Sequence, residues 1–124
     1  MAKAIADAVL DAALDKLATC VRQSVCSGEP ANFAGIAAVS LADVVLTAGD
    51  GNGDYTIGDG DVSGRKVTVS QQADVPIDSS GTATHIAYDD GTTLLGVTTC
   101  TSQALTAGGT VTVPAHDFEI QSPT

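Results

Sequence analysis

Five oxygen-bearing side chains crowd residues 50–61, which read Asp50-Gly51-Asn52-Gly53-Asp54-Tyr55-Thr56-Ile57-Gly58-Asp59-Gly60-Asp61. Asp50, Asn52 and Asp54 stand on alternate positions, the spacing of the first three side-chain ligands of a calcium loop. The chemistry would be hard-cation binding by carboxylate and amide oxygens. Two positions depart from the pattern. The sixth, where a sharp turn needs Gly, is Tyr55, and the twelfth, where a bidentate Glu belongs, is Asp61. The flanks read as strands rather than helices. The plainer reading is an acidic loop rich in turn formers. No metal or other cofactor is therefore assigned, and the sequence leaves open whether Asp50, Asn52, Asp54, Asp59 and Asp61 bind Ca²⁺.

The other reactive residue types are scattered. His85 and His116 are the only histidines, whereas a zinc site needs three or four ligands at recognisable spacing. No nucleophile elbow marks a special Ser. Residues 49–64 are glycine-rich but lack the GxxxxGK[ST] pattern of a phosphate cradle. Cys20, Cys26 and Cys100 form an odd set with no CxxC pair. They read as reduced, partly buried thiols, with a Cys20–Cys26 disulfide as the alternative. No catalytic residue is assigned, and the chain is expected not to be an enzyme.

These residues must be positioned by one domain's worth of chain, 124 residues, expected as a helix over 1–21 and a β body over 22–124. The helix is read from Leu10, Leu14, Leu17 and Val21 at spacings of four, three and four, with Ile5 and Val9 on the same broad face. Lys3, Asp7, Asp11 and Asp15 form the opposing row, and Lys3 and Asp7 can pair. The apolar stripe packs on the domain's own sheet or, alternatively, meets a partner. Arg22 to Cys26 reads as a strand, Ser27-Gly28-Glu29-Pro30 as a break, residues 31–37 as loop, and Val39 to Thr47 as a strand. Beyond residue 64 the chain reads as a run of hairpins, with Asp90-Gly91 the strongest turn signal and further turns at Ser79-Ser80-Gly81 and Ala107-Gly108-Gly109. Val111 and Val113, then Phe118 and Ile120, mark the last strands. The expected fold is mainly β, in the α+β sense: a β-sandwich or small barrel of about seven or eight short strands with one N-terminal amphipathic helix.

Composition narrows the partners. Fifteen acidic residues against five basic ones give a formal charge of −10. Phosphate backbones and anionic membranes attract clustered Lys and Arg, and the only adjacent basic pair is Arg65-Lys66. Nucleic acid and membrane are not expected partners. Aromatics make up only 3% of the chain, so the core must be Ala, Val, Leu and Ile. Such a core buries less area per residue, which points to oligomerisation or docking onto a larger body. No segment reaches the ~18 apolar residues of a membrane span. Asp7, Asp11 and Asp15 interrupt the N-terminal apolar run where a signal peptide would be continuous. Synthesis in a cytoplasm without export is expected.

Four stretches carry a family resemblance. Ala6-Asp7-Ala8-Val9-Leu10-Asp11-Ala12-Ala13-Leu14 followed by Val25-Cys26-Ser27-Gly28-Glu29-Pro30 resembles small virion proteins of tailed bacteriophages. So do Tyr55-Thr56-Ile57-Gly58-Asp59-Gly60-Asp61-Val62-Ser63-Gly64-Arg65-Lys66 and the run from Gly81 to Thr99. The matching motifs are structural rather than catalytic. The resemblance implies a mostly β protein used in many copies on the head, neck or tail of a virion. On that basis the expected function is head decoration: a cement protein binding the major capsid protein, with homo-oligomer or lattice neighbours, and stabilising the assembled head by bridging its subunits. A tail or neck component, such as a fibre-attachment or ring protein, is the alternative.

Overall fold

The computed structural model describes residues 5–121. In chain order the elements are α1 (Asp7–Leu17), β1 (Arg22–Cys26), a 3-10 turn (Phe33–Gly35), α2 (Ile36–Val39), β2 (Ser40–Val45), β3 (Tyr55–Asp59), β4 (Arg65–Val69), β5 (Gln72–Pro76), β6 (Gly81–Asp89), β7 (Leu94–Leu105), β8 (Thr110–Val113) and β9 (His116–Ile120). The described residues are thus mainly β, with nine strands in three sheets and one N-terminal helix of several turns. The chain divides into two compact units. One takes in the described parts of Met1–Thr19, Thr47–Gln71 and Ala115–Thr124, the other Cys20–Leu46 and Gln72–Pro114.

The first unit sets α1 against a three-stranded antiparallel sheet in the order β3-β4-β9. The helix forms because its Ala-rich sequence favours it and because Leu10 and Leu14, one turn apart, are both buried. It is shorter than residues 1–21. Thr19 Oγ1 donates to the Lys16 carbonyl at 2.6 Å and closes the last turn, and β1 begins at Arg22. Ile5 and Val9 do not share the buried stripe: they are 40% and 54% exposed. The proposed Lys3–Asp7 pair lies outside the described residues. In the sheet, Ile57, Val67 and Phe118 stand opposite one another across three strands, and Tyr55, Val67 and Val69 are buried.

The second unit contains a four-stranded antiparallel sheet, β2-β1-β6-β7, and a β5-β8 ribbon. Val25 and Ile86 of the larger sheet and Val111 and Val113 of β8 line one small cavity of ≈ 150 Å³. The two sheets therefore face each other as a small sandwich. On the opposite face, Phe33, Ile36 and Val39 cover Cys26, Ala87, Leu94 and Val97. The Asp90-Gly91 turn forms as its residues require: Gly91 takes φ of 96°, and Asp90 Oδ1 accepts the amides of Thr92 and Thr93.

Several local expectations change. Residues 31–37 are not simply loop. They hold the 3-10 turn and the start of α2, and Asn32 Oδ1 accepts the Gly35 amide at 2.9 Å. The strand expected from Val39 runs over Ser40–Val45. The run of hairpins beyond residue 64 is broken as well. β4 pairs with β3 and β9, and β8 pairs with β5 rather than with its neighbour β7.

Candidate functional site

Loop geometry accounts for each side chain in the acidic stretch. Gly49, Gly51 and Gly53 all adopt positive φ, so the segment between β2 and β3 folds back tightly. Asp54 Oδ2 then accepts the Thr47 amide at 2.6 Å, and Asp54 Oδ1 accepts the Ser70 hydroxyl at 3.0 Å. Asp50 Oδ1 accepts the Ile57 amide at 2.9 Å. Asn52 donates its amide to the Ala48 carbonyl at 2.9 Å. The loop thereby anchors the first residues of β3, and Tyr55 is buried beneath it.

The two remaining acids of the stretch pair with strand β4. Asp59 accepts Arg65 Nη1 at 2.8 Å, and Asp61 accepts Lys66 Nζ at 2.7 Å. Arg65 also bonds Asp11 of α1 through Nε at 2.8 Å, and Lys66 reaches Asp117 of β9 at 3.3 Å. The Arg65 guanidinium is raised above its ordinary pKa chiefly by the Asp11 hydrogen bond. The Lys66 ammonium is raised chiefly by Asp61 and next by Asp117. The adjacent basic pair is thus an ionic clasp between α1, the β3–β4 turn and β9. Among the described residues no group of three or more His, Cys, Asp or Glu side chains gathers to hold a metal ion.

The histidines fall in different units. His85 is half-buried in β6, its Nδ1 at 2.8 Å from the Thr84 hydroxyl. His116 stands edge-on to Phe118 with ring centres 5.5 Å apart. No disulfide joins Cys20, Cys26 or Cys100. Cys20 and Cys26 are buried and Cys100 is half-buried, in keeping with reduced thiols. Burial, with a smaller contribution from Cys100, pushes the Cys26 thiol up to about 11.

A second cluster, in the second unit, was not legible in the sequence. Arg22, Ser24 and Cys26 alternate onto one face of β1, and register places Asp43 of β2 opposite Ser24 and Asp89 of β6 opposite Arg22. Asp89 is 1% exposed. Its Oδ2 accepts Arg22 Nε at 3.0 Å, and its Oδ1 accepts the Gly91 amide at 3.0 Å. The guanidinium also lies 3.9 Å from Asp43 and 5.9 Å from the centre of the Phe33 ring. Arg22, Ser24, Phe33 and Asp43, together with Ile36 and Ser40, border a cleft of ≈ 290 Å³. Ser24 lines the cleft, is 1% exposed, and its hydroxyl has no hydrogen-bond partner among the described residues.

On the other face of β1, Gln23 Nε2 donates to the buried Tyr88 hydroxyl at 2.6 Å. Burial pushes the Tyr88 phenol up, against the opposing effect of that hydrogen bond. The Gln23 carbonyl oxygen is left without a partner among the described residues. Compared with known proteins, the chain matches no family model, no curated protein and no solved structure.

Proposed function

We propose that the chain is a virion structural protein of a tailed bacteriophage, a decoration or cement protein that binds the major capsid protein on the assembled head. The observation that carries this reading is the employment of its reactive side chains. Asp50, Asp54, Asp59 and Asp61 hold a loop amide, a hydroxyl or a neighbouring cation, so the chemistry of the sequence serves to fix a surface. Two apolar side chains, Val45 and Val62, stand 80% exposed, and they are suited to burial against another protein. The acidic surface favours a basic partner patch and steers encounter with it.

In mechanism, each copy binds only where subunits have already assembled. Binding the lattice and not the dispersed subunit stabilises the lattice by linkage, by RT ln(1 + [L]/Kd) per site. The test is to add the purified protein to heads assembled without it and follow their thermal disruption. Heads that bind the protein and melt higher are the expected result. Binding to tails or necks would move it to the alternative structural role, and binding to no particle component would overturn the reading.

A further inference from the structure

We propose that the free edge of β7 pairs with the same edge of a second copy, antiparallel and about a twofold axis at Thr98, so that two four-stranded sheets continue as one. β7 ends the strand order β2-β1-β6-β7, and among the described residues it pairs with no strand but β6. The opposite edge of the sheet is partly closed, because the Asp78 and Ser79 amides donate to the Leu41 carbonyl of β2. Among the described residues no loop does the same for β7.

Register decides which backbone groups are left over, since their direction alternates along a strand. The Leu46 amide donates to the Val21 carbonyl and the Ser27 amide to the Val39 carbonyl. The odd-numbered residues of β1 therefore turn toward β2, and Arg22, Ser24 and Cys26 turn toward β6. Their partners Asp89, Ala87 and His85 face back toward β1. Ile86 and Tyr88 then face β7 and engage Thr98 and Gly96, which leaves the Val97 and Thr99 backbone pointing outward. The β6–β7 register is unbroken from Gly96 to Thr99 and shifts on either side. Setting Val97 of each copy opposite Thr99 of the other makes reciprocal backbone hydrogen bonds on this regular stretch. It also places Thr98 against Thr98, a favourable cross-strand pair.

Charge selects the occupant. Exposed edges are ordinarily protected by charged side chains or Pro. The edge strands β2, β3 and β9 carry Asp43, Asp59, and Asp117 with Glu119. β7 carries neither device, and residues 91–115 are the longest run of the chain without Asp, Glu, Lys or Arg. Self-pairing there opposes only neutral side chains, whereas a basic segment of another protein would find no counter-charge on the strand. At long range the charge of −10 holds copies apart, so added salt should tighten the pairing. The inference goes beyond the virion reading and does not depend on it.

Sedimentation equilibrium of the full-length protein, joined to amide hydrogen exchange at low and high concentration, tests it. A monomer–dimer equilibrium that shifts toward dimer with salt is expected, and the Val97 and Thr99 amides should exchange more slowly as dimer accumulates. Thr99→Pro removes an outward amide, a place where an edge strand tolerates Pro, and should weaken dimerisation by about tenfold or more. Thr99→Val keeps the amide and should dimerise like wild type. The wild-type exchange rates decide the matter if Thr99→Pro does not fold. A chain that stays monomeric in both low and high salt, a dimer whose Val97 and Thr99 amides exchange at the monomer's rate, or a dimer that a folded Thr99→Pro leaves at full strength would each overturn the proposal. Protection of those amides only on addition of capsid heads would assign the edge to another protein and overturn it too.

Discussion

Arg22 and Asp89 are the most consequential single residues in the second unit. Asp89 is wholly buried, and its carboxylate is compensated by one guanidinium and one amide. Removing Arg22 leaves that charge in the interior with only the amide. Arg22→Ala should therefore cost about 2–3 kcal/mol, at or just below the lower limit for breaking a buried pair because Arg22 itself is partly exposed. Asp43→Asn, which removes only a distant second partner, should cost far less. Urea denaturation of the two variants checks the contrast, and equal losses would contradict it.

Cys26 makes a second residue-scale prediction. Its folded pKa of about 11 lies above the ordinary value of 9.0. Below pH 9 both the folded and unfolded chains keep the proton. Between pH 9 and about 11 only the unfolded chain gives it up, so stability must fall as pH rises through that window. Urea melts at pH 8 and pH 10 should show this fall, and Cys26→Ala should reduce it, the half-buried Cys100 thiol, also pushed up, supplying a further part of the same sign. A wild-type stability that rises over the same window would contradict the assignment.

At the scale of elements, turns and hairpins were legible in the sequence and remote pairings were not. Asp90-Gly91 specifies its own turn, because Gly supplies the positive φ and the Asp side chain caps the following amides. The β3–β4 pair also joins sequence neighbours, but residues 50–64 read as an acidic, glycine-rich loop and that pairing is not read from them. Pairing of β9 with β4, and of β8 with β5, leaves no such trace. Alternating Val and Phe residues state that a strand has a buried face, not which strand will lie beside it. The cleft was hidden for the same reason, since Arg22 and Asp89 are 67 residues apart and meet only through register. The calcium-like spacing does not by itself report a cation site. Alternate acids in a turn-rich loop satisfy the loop's own amides as readily as they satisfy a cation.

Gly64 is the position where an element is most exposed to a single change. It takes φ of 72°, and a Cβ there would run into the Ile120 carbonyl oxygen on β9. Both the left-handed backbone and the clash count against any side chain. Gly64→Ala should cost about 2 kcal/mol or more and should loosen the β4–β9 pairing. Amide hydrogen exchange is expected to speed up across Arg65–Val69 and His116–Ile120. A variant that exchanges like wild type would contradict this reading of the turn.

At the scale of the whole molecule, charge and composition speak more clearly than any motif. Three of the five basic side chains, Arg22, Arg65 and Lys66, are already paired with aspartates, and fifteen acids against five bases leave the chain strongly negative. Such a chain repels its own copies at long range and favours a basic partner. The core is mostly aliphatic, but Tyr55 and Tyr88 are its largest wholly buried side chains, which corrects the expectation of Ala, Val, Leu and Ile alone; further stability would come from docking. These properties suit a protein whose working state is bound to a larger assembly. The proposed decoration role is tested most directly by quantitative mass spectrometry of phage particles purified from cells that carry the gene, scaled to the major capsid subunit. A copy number comparable to that of the capsid subunit is the predicted result; absence from the particle, or a trace amount, would contradict the decoration role.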